Sequence, residues 1–150
     1  MNATMEDQNC EIRALVISPG HDFKGHFGGP RGENRETEVE SVECVAGKGI
    51  VGDRYFEYRE DFKGQITFFD WAVLETVRKE FSLPDLSPTV FRRNVVTAGL
   101  SLHDLIGKEF SLQGVRFSGS EECTPCVWMD EAVAPGTEDF LKGRGGLRAR

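Results

Sequence analysis

The chain lacks the features that mark several common protein classes. Its longest apolar run, ALVI, is far short of the roughly 20 residues a membrane-spanning helix needs. The N-terminus, MNATMEDQNCEIR, has neither the basic start nor the apolar stretch of a signal peptide. Cations are outnumbered, 18 Lys and Arg against 25 Asp and Glu, giving a formal net charge of −7. Nucleic acid is therefore excluded as the expected main partner, because phosphate backbones attract basic surfaces. Four cysteines at uneven spacing do not make a secreted disulfide framework, so a reducing cytoplasm is the expected setting. No second Cys/His pair accompanies Cys123 and Cys126, which argues against a four-ligand structural zinc site.

A chain of 150 residues is expected to form one domain that buries roughly 68–70% of its unfolded surface. Residues 1–11 read as a disordered leader, ahead of a single domain over 12–150. IRALVIS (12–18) reads as a buried strand closed by Pro19-Gly20, and GQITFFD (64–70) as another. Between them lie a Gly- and Pro-rich loop (19–36) and the strand-like TEVESVECV (37–45), followed by GKGIVGD (47–53). WAVLETVRKEF reads as a helix capped by Asp70, with Trp71, Leu74, Val77 and Phe81 on one apolar stripe. VFRRNVVT reads as a strand, and SLHD as a short helical turn with capping spacing between Ser101 and Asp104. KEFSLQGVRFSGSEEC reads as two strands about Gln113-Gly114, and GTEDFLKG as a last short helix. Many short strands with few helices predict a β-barrel-like or sandwich core with helical decorations.

Four constellations carry the chemistry. The lone pair Cys123 and Cys126 points to redox work, a nucleophile or soft-metal ligation, since thiolate suits soft metals. The competing reading is a buried structural cysteine beside Trp128, and Glu121 and Glu122 disfavour a thiolate. GKGIVGDRY places three glycines around Lys48 and Arg54, where backbone amides and cations suit an anion. It is not a Walker-type phosphate loop, because Lys48 is misplaced and no Ser or Thr follows it. Arg92 and Arg93 are expected at a strand edge, with alternation sending only one of them into a site. The tail from Lys142 to Arg150 gathers four cations around three glycines, and a flexible end is its simplest explanation. His21 and His26 are candidate metal ligands of low weight.

The ordered set ISPG, GKGIVGDRY, GQITFFD, RRNVVTAGLSLHDLIGKEFSLQGVRFSG and ECTPCVWMD with GRGGLRAR resembles the MOSC domain, over roughly 12–150. That resemblance implies a MOSC-type, partly open β-barrel that binds molybdenum cofactor in its molybdopterin form. It also implies a cysteine that ligates the metal or carries sulfur. Cys126 matches this position as catalytic residue and metal ligand, with Cys123 the second catalytic candidate. Lys48, Gly52, Asp53, Arg54, Arg92, Arg93, Asn94 and Arg144 are the implied cofactor-binding residues. The implied activity is reduction of small N-hydroxylated or N-oxide compounds. Persulfide sulfur transfer and non-catalytic cofactor storage or delivery are the alternatives, and pyridoxal phosphate binding is a further association. An external electron-donor or sulfur-donor protein is the implied partner, together with a small-molecule substrate. Two departures stand out. Tyr55 occupies a position where relatives carry His, and relatives continue past the last residue here into another strand.

Overall fold

The computed structural model describes residues 8–18, 37–124, 129–130 and 133–150. Seven strands form one sheet in the order β2-β1-β6-β5-β9-β8-β7, and a hairpin of β3 and β4 stands apart. They are β1 (Glu11–Ile17), β2 (Thr37–Val39), β3 (Cys44–Val45), β4 (Gly49–Ile50), β5 (Ile66–Asp70), β6 (Val95–Ala98), β7 (Glu109–Leu112), β8 (Val115–Glu122) and β9 (Leu147–Ala149). Every pairing in the large sheet is antiparallel except β5 with β6. The sheet is open, yet Gln8 N donates to Ser111 O at 2.7 Å, drawing the chain ahead of β1 against β7. The architecture is mainly β, a partly open barrel.

The parallel pair needs a crossover, and the helix α1 (Trp71–Glu80) supplies it. Asp70 accepts from Ala72 N at 2.9 Å and so caps α1 as its residue type predicts. Leu74 and Val77 bury the helix stripe against Phe69, Phe91 and Val96 on one face of the sheet. The other face buries Phe68, Val95 and Leu147 with Phe110 and Phe117, whose rings meet Phe68 at 5.5 and 5.3 Å. Phe68 and Phe69 thus serve opposite cores, as strand alternation requires.

Three local expectations change. The 37–45 segment divides into β2 and β3, because Val39 and Val42 do not alternate with burial on one face. VFRRNVVT is a strand only from Val95; Pro88–Phe91 form a 3₁₀ turn, Ser87 caps it, and Arg92 ends it in the left-handed region at φ 56°. The tail is no loose end. β9 lies in the middle of the sheet, paired with β5 on one side and β8 on the other. Among the described residues, no helix is long and apolar enough to cross a membrane.

β9 reaches that central place because Gly146 sits directly against the Phe68 carbonyl at φ 109°. A Cβ there collides with backbone on β5. Gly146→Ala is therefore expected to lose at least about 2 kcal/mol, read as a lower urea midpoint, whereas Gly143→Ala, at φ 80° but in open space, carries only the left-handed backbone cost of about 1 kcal/mol.

Candidate functional site

The end of the α1-covered face away from that helix is polar, and its centre is Asn94. Asn94 Oδ1 accepts from Thr67 N at 3.0 Å and from Thr67 Oγ1 at 3.1 Å. Its Nδ2 donates to Val16 O at 3.0 Å and to Asp53 Oδ1 at 3.2 Å. One buried amide therefore joins β1, β5, β6 and the turn after β4. Asp53 Oδ1 also accepts from Ser18 N at 2.9 Å, and its Oδ2 from Tyr55 N at 3.3 Å. Glycines bring the turn this close. Gly49, at φ 116°, would place a Cβ only 2.9 Å from Gln65 O. Gly52 takes φ 88° at the surface, so its role is conformational.

Four arginines lie in the segments around this end of the sheet. Arg54 lies 3.9 Å from the buried Asp53 carboxylate, donates to Arg92 O at 3.4 Å, and rests 4.6 Å from the Tyr55 ring centre. Arg92 and Arg93 are both buried, and neither lies in a strand, so alternation does not decide which of them faces the site. The 3₁₀ turn and left-handed Arg92 break the strand geometry that alternation assumes. Arg93 donates to Gly145 O and Phe91 O, each at 3.0 Å, and to Cys123 O at 3.4 Å. It staples the end of β8 and the approach to β9 to the start of β6, and among the described residues no carboxylate pairs with it within 4.0 Å.

The fourth, Arg148, is a residue that reading the tail as a flexible end missed. It stands on β9 opposite Glu121 on β8, with Cys123 two residues farther along the same face. Cys123 N donates to Gly146 O at 2.8 Å, which continues the ladder past β8 and keeps the sulfur on the Arg148 side. Arg148 meets Glu121 Oε1 at 3.2 Å. Burial disfavours its charge, but Cys123, then Tyr55 and Glu121, outweigh burial and hold its pKa above the ordinary value. Lys63 shares the same carboxylate, at 3.2 Å from Glu121 Oε2. Pairing of the tail with β8 is the signal that would have revealed it, since LRA carries the alternation of a short strand.

Other expected residues lie elsewhere. Lys48 directs its ammonium to Glu57 at 3.7 Å on the exposed surface. Arg144 stacks 4.4 Å from the Phe140 ring centre and lines a cleft of about 160 Å³ with Asp70, Ser101, His103 and Glu122. Cys126, His21 and His26 lie outside the described residues. Cys123 is 4% exposed, and Cys10 and Cys44 pack partly buried against the Phe68 core. Among the described residues no cluster of three metal-ligating side chains occurs.

These features define a small half-open β-barrel domain with guanidinium groups and a thiol at one polar end. The chain belongs to the MOSC domain family, whose model, described as "MOSC domain", matches residues 26–146. No curated protein matches the chain significantly. Among solved structures it is similar to the YuaD protein from Bacillus subtilis, at 16% identity and a TM-score of 0.71, covering 97% of this chain and 89% of that one. It is also similar to a hypothetical protein, at 15% identity and a TM-score of 0.57, covering 93% of this chain and 61% of that one. At these identities the likeness concerns the fold.

Two predictions follow from the geometry. Asn94→Ala leaves the Asp53 carboxylate and Thr67 N–H short of partners in the interior, at a cost of about 3 kcal/mol, measurable by chemical denaturation. Burial pushes the Cys10 and Cys44 thiols up. The unfolded chain then loses those protons first, so stability from these two groups is intact below the ordinary thiol pKa and declines as pH rises through it toward the raised values. Unfolding midpoints recorded from neutral pH upward are expected to fall less steeply in Cys10→Ala/Cys44→Ala than in the parent.

Proposed function

We propose that this domain binds molybdenum cofactor and uses it to reduce small N-hydroxylated or N-oxide compounds. The observation that carries the reading is Arg54 set against the buried Asp53 carboxylate and Arg92 O, with Arg93 on Cys123 O and Arg148 on the strand beside it, in a chain of net charge −7. Arg54 and Arg148 already face one carboxylate each, Asp53 and Glu121, and the positive charge beyond these pairs would be stabilised by a further anion in this partly desolvated place. A second feature supports a ligand. The Ser18 hydroxyl is buried beside Asp53 and Arg54 and has no hydrogen-bond partner among the described residues. Buried hydroxyls are rarely left so, and a ligand oxygen would satisfy it.

The residues present fit an anionic cofactor. Arg54, Arg92 and the Ser18 hydroxyl would hold its terminal phosphate, with Asp53 and Asn94 fixing their positions. When bound, the group supplies a soft metal centre that exchanges electron pairs with substrate. The family resemblance assigns the metal-ligating thiolate to Cys126. Cys123 and Arg148 would border the substrate side, where the guanidinium orients a polar N–O group by hydrogen bonding. A separate electron-donor protein would complete the cycle.

Sulfur carriage is the second reading, favoured by the place of Arg148 on β9 beside the strand that leads into Cys123. A guanidinium in that place would equally hold the anionic end of a persulfide.

Protein made in a host that synthesises the cofactor is expected to carry near-stoichiometric molybdenum by metal analysis. Cys126→Ser is expected to abolish it, Arg54→Ala to lower it at least about tenfold, and Cys123→Ser to retain it. Full occupancy in Cys126→Ser and Cys123→Ser alike refutes thiolate ligation. A single added sulfur atom on Cys123, in protein devoid of molybdenum, favours the carrier.

A further inference from the structure

Between β4 and β5 the chain runs through turns that enclose an aromatic cluster. Both tyrosines of the protein are in it. Tyr55 and Tyr58 lie 5.4 Å apart, Tyr55 and Phe62 5.3 Å, and Tyr58 and Phe62 4.9 Å, centre to centre. None of the three belongs to either hydrophobic core. Tyr58 keeps 42% of its surface in solvent. A loop that holds its rings against one another, outside the core, has the build of a recognition loop rather than a connector.

The cluster abuts the site described above. Gly64 is the junction: a Cβ there would stand 3.2 Å and 3.3 Å from Phe62 ring atoms and 3.5 Å from Arg148 Cδ. Ring and guanidinium stem therefore border the same small gap, and Arg148 stands on β9 beside the strand that leads into Cys123. Glu121 does not cancel this charge, because it is divided between Arg148 and Lys63, each at 3.2 Å. The turn also carries Glu57, Glu60 and Asp61, with Glu57 directed to Lys48 and Asp61 to Arg150, so the cation offered beside the rings is the part-exposed Arg148 itself. Arg59 adds another cation, 5.0 Å from the Tyr58 ring centre.

We propose that Tyr58, with Tyr55 and Phe62 behind it, and Arg148 form a recognition surface for flat aromatic acids, the ring lying against Tyr58 and the acidic group meeting Arg148 next to the Cys123 sulfur. A flat ring gains from edge or offset contact with this wall, while an aliphatic acid of equal size gains only contact area. The charge selects the acid, and the wall selects the ring. The proposal names a substrate class for the site of the proposed function and rests on that reading only for the reaction; the binding stands by itself.

The test is titration of the isolated protein with benzoate, cyclohexanecarboxylate and acetate, followed by nuclear magnetic resonance. Benzoate is expected to bind about tenfold more tightly than either aliphatic acid. Tyr58→Ala is expected to bring that ratio close to unity, and Tyr58→Phe to preserve it. Arg148→Gln is expected to weaken benzoate and acetate alike. Equal binding of the three acids, or an undiminished ratio in Tyr58→Ala, overturns the proposal. Metal analysis of the same preparations separates the two readings. Molybdenum bound without ring discrimination removes the recognition surface alone, and ring discrimination in protein that never takes up molybdenum removes the proposed cofactor alone.

Discussion

A carboxylate withdrawn from water among backbone N–H groups is the constraint on which the polar end of this domain rests. Asp53 accepts from Ser18 N, Tyr55 N and the Asn94 amide, with Arg54 at 3.9 Å. A buried charge is tolerated only when its acceptor sites are filled, and here the filling groups come from three distant parts of the chain. Satisfying one side chain therefore fixes where β1 ends, where β6 starts and how the turn after β4 lies across them. The arginines inherit their positions from that arrangement. Arg54 follows Asp53 in sequence, while Arg92 and Arg93 precede Asn94.

The cations then divide by what holds them. Arg93 is saturated by carbonyls from Phe91, Cys123 and Gly145, so its role is to tie strand ends together. Arg148 shares a carboxylate with Lys63 on the strand beside Cys123, and its side chain is 32% exposed. The first braces backbone; the second keeps part of its side chain open to solvent. Guanidinium suits both tasks because its planar fork bonds carbonyls and anions with the same geometry. An acidic protein that concentrates such groups at one end of a sheet presents a strongly local field, and that locality suits a small anion far better than an extended one.

The two faces of the sheet explain why the site lies where it does. Phe68, Val95 and Leu147 fill one side with large apolar side chains, leaving no room for polar groups. On the other side α1 covers only part of the sheet, over Phe69 and Val96, and beyond its reach the inward positions become Thr67, Asn94 and Arg148. Where the helix ends its cover, polar side chains replace the core. The aromatic turn from Tyr55 to Phe62 borders this uncovered stretch and gives it a wall.

Local patterning carried much of the architecture. The apolar run of β1, the capped stripe of α1 and the Gln113-Gly114 hairpin were legible because each depends on neighbours in sequence. The ordered motifs also carried the family, since glycine turns and arginine-bearing segments keep their spacing within one chain. Other features depended on pairing between distant segments. Residues 147–149 have too few side chains to announce a strand, and only the gap between β5 and β8, opened by a glycine at 146, makes them one. That insertion moved Arg148 from a loose end to the side of Cys123. The same holds for Arg92 and Arg93, both buried because a 3₁₀ turn replaced the expected strand. By itself the sequence determined the elements and the kinds of side chain available; tertiary structure decided which guanidinium braces the backbone and which stays part-exposed beside the strand that leads into Cys123, because that choice rests on contacts between residues far apart along the chain.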